Sequence, residues 1–301
     1  MACNSRAVTG FTSTVKEFGA ISEVLRAEAA RAAVEAAREC RVLVDEAEDS
    51  DTLQDVSALL ESVWGRTGEG VPIPTDVMRS IVHAGGCVTT AHDSRHTLVG
   101  AAVLTPAADG GYSLIAATLP HQTSRGLGRA LKLRQREWAL ERGWRRIQWT
   151  FDPLVSRNAR FNLSKLGALA TSYEQDFYGH MSDDINANDH SDRLVALWEL
   201  DTARVVAAAG RITADLAPPD HATTLSHGPD GRPLLLGDGI RKWCRAPEDI
   251  IAIRRQQPEL ALQWRTALRA VFLEAFTEGL IATGFSRDGW YALEQITKDE
   301  Q

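Results

Sequence analysis

Two glycines one residue apart, Gly126 and Gly128, stand directly ahead of a long amphipathic run in TSRGLGRALKLRQREWALERG, residues 123–143. Small residues at a helix start let a ligand approach the backbone closely, and the first N–H groups of the helix have no partner of their own, so the pattern suits an anion such as a phosphate. The amides of 124–129 and the helix dipole form the receptor, the dipole contributing about 0.3–1 kcal/mol per favourable charge, and Arg125 and Arg129 add cations. A dinucleotide fingerprint would need a third glycine where Leu131 stands, and no GxxxxGK[ST] phosphate loop is present.

Other residues carry chemistry singly. Asp152 follows the strand-like RIQWTFD (146–152); it is a base or amine anchor, or it caps the turn ahead of Pro153. Arg193 can grip an acceptor carboxylate through two parallel hydrogen bonds, or it pairs with Asp189 or Asp192. His121 beside the glycine loop is a surface residue or a phosphate contact. DDINANDHSDR (183–193) lacks the glycine and glutamate of a calcium loop, so it is read as a loop near the acceptor. The four cysteines form no CxxC pair, which argues against zinc and against a disulfide framework; no metal is expected.

Apolar spacing supplies the elements that position these residues. An Ala-rich amphipathic helix is expected over 13–40, its thin apolar stripe left to pack on the body of the protein or on a second subunit, which keeps a homodimer open. A strand at 41–47, helices at 51–65 and 74–86 (the second capped by Thr75 or Asp76), and an antiparallel meander of 87–93, 97–106 and 112–120 follow. Then come the helix opened by the glycines, the strand 146–152, a short helix at 156–168 ending on Gly167, and a strand at 192–200. The Pro- and Gly-marked stretch 201–240 reads as a linker, and 241–301 as a small α+β subdomain around a helix at 258–279. In that helix Trp264 and Leu268 share one face and Arg265 and Arg269 another, which suits packing between the two halves of the protein. The expected fold class is α/β of the α+β type: a mixed, mostly antiparallel central sheet flanked by helices.

The 44% hydrophobic and 24% charged content suits a globular chain. A net charge of −7 with no concentrated basic stretch excludes a nucleic-acid footprint. No apolar run nears the roughly 18 residues of a membrane span, and no signal-peptide core is present, so a cytoplasmic location is expected.

TLPHQTSRGLGRAL resembles the acyl-CoA-binding motif of the GNAT superfamily of N-acyltransferases, and the element order over 41–200 is similar. LKLRQREWALERGW, WTFDPLVSRNARFNLSKLGA, FYGHMSDDINA, SDRLVALWEL and PEDIIAIRRQQPELALQWRTALRAVF extend the resemblance to a bacterial subfamily of GNAT acyltransferases over about four fifths of the chain. The resemblance implies acetyl-CoA or another acyl-CoA as co-substrate, bound by Ala117, Thr118, Leu119, Thr123, Ser124, Arg125, Gly126, Leu127, Gly128 and Arg129, with Asn158 at the pantetheine arm or at a helix cap. It further implies direct attack of an amine on the thioester, whose carbonyl a backbone amide within 116–119 polarises.

Thr123 stands where the motif has Gln or Arg, and Leu163 where many relatives carry a tyrosine acid, so Tyr178 becomes the candidate acid and Asp152 the candidate base. The implied acceptor is a small-molecule amine, amino acids among the options, with Arg193 as its carboxylate contact. The alternatives are a CoA-binding module without transferase activity and an acyltransferase for a protein or carrier-bound acceptor.

Overall fold

The computed structural model describes residues 21–65, 71–120, 126–179, 190–213 and 215–296. Helix α1 (Glu23–Cys40) starts where the Ser22 hydroxyl accepts from the Leu25 amide, and it buries only Ala29, Ala33 and Ala36. Such a small-residue face permits close approach to another helix, and α1 lies along α4 (Leu127–Glu141). Strand β1 (Leu43–Glu46), α2 (Ser50–Trp64) and α3 (Thr75–His83) follow. The Asp49 carboxylate caps α2, whereas α3 begins after Pro74 with no side-chain cap, so neither Thr75 nor Asp76 caps it: the fixed φ of the proline sets the start instead.

Strands β2 (Cys87–His92), β3 (Leu98–Ala107) and β4 (Gly110–Thr118) form the antiparallel meander, and β5 (Arg146–Phe151) joins β4 in parallel after the α4 crossover. Next come α5 (Ser156–Ala159) with a π-helical turn (Arg160–Lys165), β6 (Leu169–Glu174), β7 (Arg193–Glu199) and α6 (Ala203–Ala209). Strands β8 (Thr223–His227), β9 (Pro233–Gly237) and β10 (Lys242–Arg245) precede α7 (Ile250–Gln256), α8 (Pro258–Thr277), β11 (Ile281–Phe285) and β12 (Trp290–Glu294).

The twelve strands of the described residues share one sheet, ordered β1-β2-β3-β4-β5-β7-β6-β11-β12-β10-β9-β8, and among them every pairing but β4 with β5 is antiparallel. The fold is thus mixed α/β with a mostly antiparallel sheet flanked by helices. Alternate residues of β2 to β4 (Val88, Ala101, Val103, Ala117) pack under α2 and α3, and their neighbours (Ala91, Val99, Ala102) pack under Leu127 and Leu131 of α4.

The stretch 201–240 is not a bare linker, since it carries α6 and the β8–β9 hairpin, whose turn is the GPDG sequence. The two prolines and the turn residues mask strands too short to show a period. Helix α8 joins the C-terminal strands to the rest through Phe272, which stacks on Tyr173 at 5.8 Å and meets Tyr291 edge-on at 5.0 Å.

Candidate functional site

Strands β4 and β5 pair only at Gly111 with Ile147 and Tyr112 with Gln148, although β4 runs on to Thr118 and β5 to Phe151. The cause lies on the other edge of β4. Val103 faces Ile115 and Leu104 faces Ser113, so Leu114 is an extra residue in β4, a bulge that bends the strand. Past the bulge the two strands diverge into a wedge whose apex is at Ser113 and Trp149.

Backbone polarity in the wedge follows from register. The Leu119 amide donates to the Val99 carbonyl at 3.0 Å, so Leu119 and Ala117 present their N–H groups to β3. Alternation then turns the amides of Ala116 and Thr118 toward β5, into the wedge. Of the three residues at the end of β4 and just after it that were expected to face the ligand, Thr118 offers its amide there; Ala117 and Leu119 spend theirs on the sheet.

Helix α4 begins beside the mouth of the wedge. Gly126 adopts φ 88°, a left-handed conformation that costs glycine least, and among the described residues no side chain caps the helix start. A Cβ built on Gly128 would lie 3.7 Å from the Phe161 ring, so the first turn of α4 faces the π-helical turn. The expected contacts Thr123, Ser124 and Arg125, with His121, lie outside the described residues. Arg129 does not face a phosphate: its buried guanidinium donates to the Ala209 carbonyl and stands 3.9 Å from Glu39 of α1, because α1 and α6 cover this flank of α4. Leu127 is buried against the sheet.

The sheet face away from α4 gathers Tyr112, Thr150, Tyr178 and Arg193. The Tyr178 hydroxyl lies 3.2 Å from Thr150 Oγ1, its ring is half-exposed, and the Arg193 guanidinium sits over it at 5.1 Å. Tyr112, at the last paired position of β4, has its phenol pushed up by burial, a shift that the Thr150 hydroxyl opposes and Tyr178 reinforces. Tyr178 is therefore at the wedge and not in the core. Arg193 donates to the Asp192 carbonyl oxygen at 2.9 Å and is largely buried, which lowers its acidity constant's exponent from the ordinary guanidinium value while Asp152 opposes the shift.

Asp152 lies at the end of β5 but is no base. Arg265 grips it with a fork, at 2.7 Å to Oδ1 and 3.1 Å to Oδ2, Arg254 also donates to Oδ2, and the Leu154 amide donates to Oδ1 at 2.9 Å. Burial alone would push the carboxyl up, yet Arg265 and then Arg254 outweigh it and hold the group well below the usual carboxylate range. A carboxylate so held cannot take a proton at neutral pH; it caps the turn at Pro153 and binds α7 and α8 to β5. Asp192 forms a parallel clamp, accepting from Arg269 at 2.8 Å on each oxygen and from Tyr173 at 2.6 Å. The arginine face of α8 thus meets two carboxylates while Trp264 and Leu268 are buried.

On the α4 side of the apex lies Lys132, which the motif reading passed over. Its ammonium donates to Ser113 Oγ at 2.6 Å and stands 3.9 Å from the centroid of the Trp149 ring. Burial lowers it to about 7. The available signal was its place four residues after Gly128, hence on the same helix face. Asn158 is partly buried inside α5 and Val155 occupies the cap position, so Asn158 does not cap the helix. Leu163, at the position where many relatives carry a tyrosine acid, is fully buried in the core.

Among the described residues no group of three or more His, Cys, Asp or Glu side chains could hold a metal ion, and no helix is long and apolar enough to cross a membrane.

Neither the family models nor the curated proteins include one that matches this sequence. Solved structures do match it. An IAA acetyltransferase from Bacillus cereus is 16% identical, covers 52% of this chain and 99% of its own, with a TM-score of 0.40. An acetyltransferase of GNAT family from Streptococcus pneumoniae is 17% identical over 52% of this chain and 97% of its own, with a TM-score of 0.43. A GNAT superfamily phosphinothricin acetyltransferase from Sinorhizobium meliloti, in complex with AcCoA, is 16% identical over 52% and 87%, also at 0.43.

Proposed function

We propose that the chain is an acyl-CoA-dependent N-acyltransferase of the GNAT kind, moving a short acyl group to the amine of a small molecule. The observation that carries this reading is the wedge: a bulged β4 that leaves a parallel partner after two pairs, with a glycine-opened helix start at its mouth. In this reading the pyrophosphate rests on the start of α4, where the amides of Leu127 and Gly128 meet it, and the pantetheine arm completes the sheet between β4 and β5. Thr118 and Ala116 supply the inward amides, and a thioester carbonyl held by one of them develops negative charge against a preorganised donor.

The amine arrives from the face of Tyr112, Thr150, Tyr178 and Arg193. With Asp152 held by two arginines, deprotonation of the amine falls to solvent. An α-amino group near pKa 8 loses its proton at pH 7 for about 1–2 kcal/mol, against about 4–5 kcal/mol for a lysine-like amine near 10.4, so an α-amino acceptor fits a site without a carboxylate base. Arg193 is the contact for that acceptor's carboxylate and Tyr178 the acid for the departing thiolate. Asn158 remains a contact for the pantetheine arm.

The test is thermal stability with free CoA and acyl-CoAs, then thiol release with an amine panel. Ligand at about 100 times Kd adds about 2.7 kcal/mol, a clear rise in melting temperature. Thiol release that depends on an amine supports the reading, and the absence of any CoA-dependent shift overturns it. The buried Leu163 at the usual acid position favours a second reading, CoA binding without turnover; a shift with no thiol release across the panel selects it. Release with a protein or carrier-bound amine alone would move the acceptor class while keeping the enzyme.

A further inference from the structure

The apex of the wedge is where Lys132 sits. Ser113 and Trp149, which hold its ammonium, are the residues next after the last paired positions, Tyr112 and Gln148. Lys132 is only 5% exposed, and among the described residues it forms no ion pair with a carboxylate. Its anchor Ser113 donates onward to Gln135 Oε1 at 3.1 Å, and the fully buried Gln135 side-chain nitrogen has no hydrogen-bond partner among the described residues. An ammonium without a counter-ion and an orphaned amide donor thus stand together beneath the point where the strands part, a pair of buried donors that a ligand oxygen would satisfy.

Direction along β4 says which end of a ligand reaches them. A donor anchored at the start of α4 passes Thr118 first and runs back toward Ser113, so its acyl end lies nearest the apex. Ala116, whose amide faces the wedge, lies opposite Ala102, and Ser113 lies opposite Leu104, so with Leu114 bulged out the two are only two strand steps apart, about 7 Å. A four-carbon acyl chain places a terminal carboxylate about 5 Å beyond its thioester carbonyl, and a hydrogen bond adds about 3 Å. A carboxylate there forms charge-assisted bonds with the ammonium, whereas a methyl group would leave it unsatisfied.

We propose that the acyl donor is an ω-carboxyacyl-CoA whose terminal carboxylate docks on Lys132 at the apex of the wedge, which makes Lys132 the residue that selects the donor. This rests on the acyl-CoA reading of the wedge.

The experiment measures Kd for free CoA, propionyl-CoA and succinyl-CoA by calorimetry on the full chain and on Lys132→Met, and needs no acceptor. The wild type should bind succinyl-CoA at least about tenfold more tightly than propionyl-CoA, and in K132M that ratio should fall to one or below. Ser113→Ala, which keeps the charge but removes its anchor, should reduce the ratio and carries the same test should K132M fail to fold. Equal affinity for the two donors in the wild type, or an unchanged ratio in the variants, overturns the proposal while free-CoA binding leaves the wedge reading standing. If neither free CoA nor either thioester binds, both readings fall.

Discussion

Two buried charges flank the end of strand β5, and they are served in opposite ways. Asp152 has every oxygen engaged by Arg265, Arg254 and a backbone amide, and is held ionised far below its ordinary range. Lys132, on the other side of the sheet, has a hydroxyl and an indole face, no ion-paired carboxylate among the described residues, and an ammonium lowered to about 7. A buried charge with its counter-charges is part of the scaffold, whereas one left without them weakens the fold and is retained where a ligand completes it. The charge that looked catalytic from its position in the strand is the structural one, and the buried charge on helix α4 is the one without a counter-ion among the described residues.

The comparison breaks first at Asp152. Asp152→Asn leaves two guanidiniums against a neutral amide and should cost about 3–5 kcal/mol by urea unfolding. Because the folded carboxyl is depressed, its contribution is present above the unfolded pKa and disappears only as pH falls through the folded one, so the loss should be constant from pH 5 to 8. A loss under 1 kcal/mol would show that the arginines do not depend on this carboxylate.

Lys132→Met should act in the other direction, stabilising the unliganded protein by about 1–4 kcal/mol at pH 6. Between about 7 and the ordinary lysine value the unfolded chain holds a proton that the folded one has released, so wild-type stability rises with pH across that window. The advantage of K132M should therefore shrink steadily in melts from pH 6 to 9; an advantage independent of pH would mean that the ammonium is not the source. Asp192→Asn, whose partner Arg269 is partly solvated, should cost about 1–3 kcal/mol, less than Asp152→Asn in the same denaturation series.

Gly126→Ala is an uncharged control at the mouth of the wedge. It forces a Cβ into a left-handed position 3.3 Å from Cys40 Sγ and should cost about 1–2 kcal/mol in melting experiments. Tyr178→Phe should change stability by less than about 0.5 kcal/mol, since the ring is half-exposed. If its hydroxyl protonates the thiolate, turnover should fall by about 10² or more; unchanged turnover would remove Tyr178 from that role.

Much of the wedge was legible in the chain. Alternation marked β2 to β5 and β7, the glycines marked the start of α4, and the four-residue spacing of Arg265 and Arg269 placed both on one face of α8. Strands β6 and β8 to β10 were not legible because, unlike the similarly short β5, they carry no regular alternation of apolar and polar residues and lie among turn residues. Nor was the bulge at Leu114, because an extra residue is defined only against the strand it fails to match.

What the sequence determined by itself is local: where helices begin to within a few residues, the faces of helices, and the glycine that opens α4, all set by interactions within a few residues, while the caps of α3 and α5 fell elsewhere than the sequence suggested. Which charge is structural and which is poised for a ligand was decided by the tertiary structure alone. Asp152 meets Arg254 and Arg265 from 102 and 113 residues away, and Lys132 meets Ser113 across 19. Burial and counter-charge set the state of an ionisable group, and neither exists until distant segments have packed.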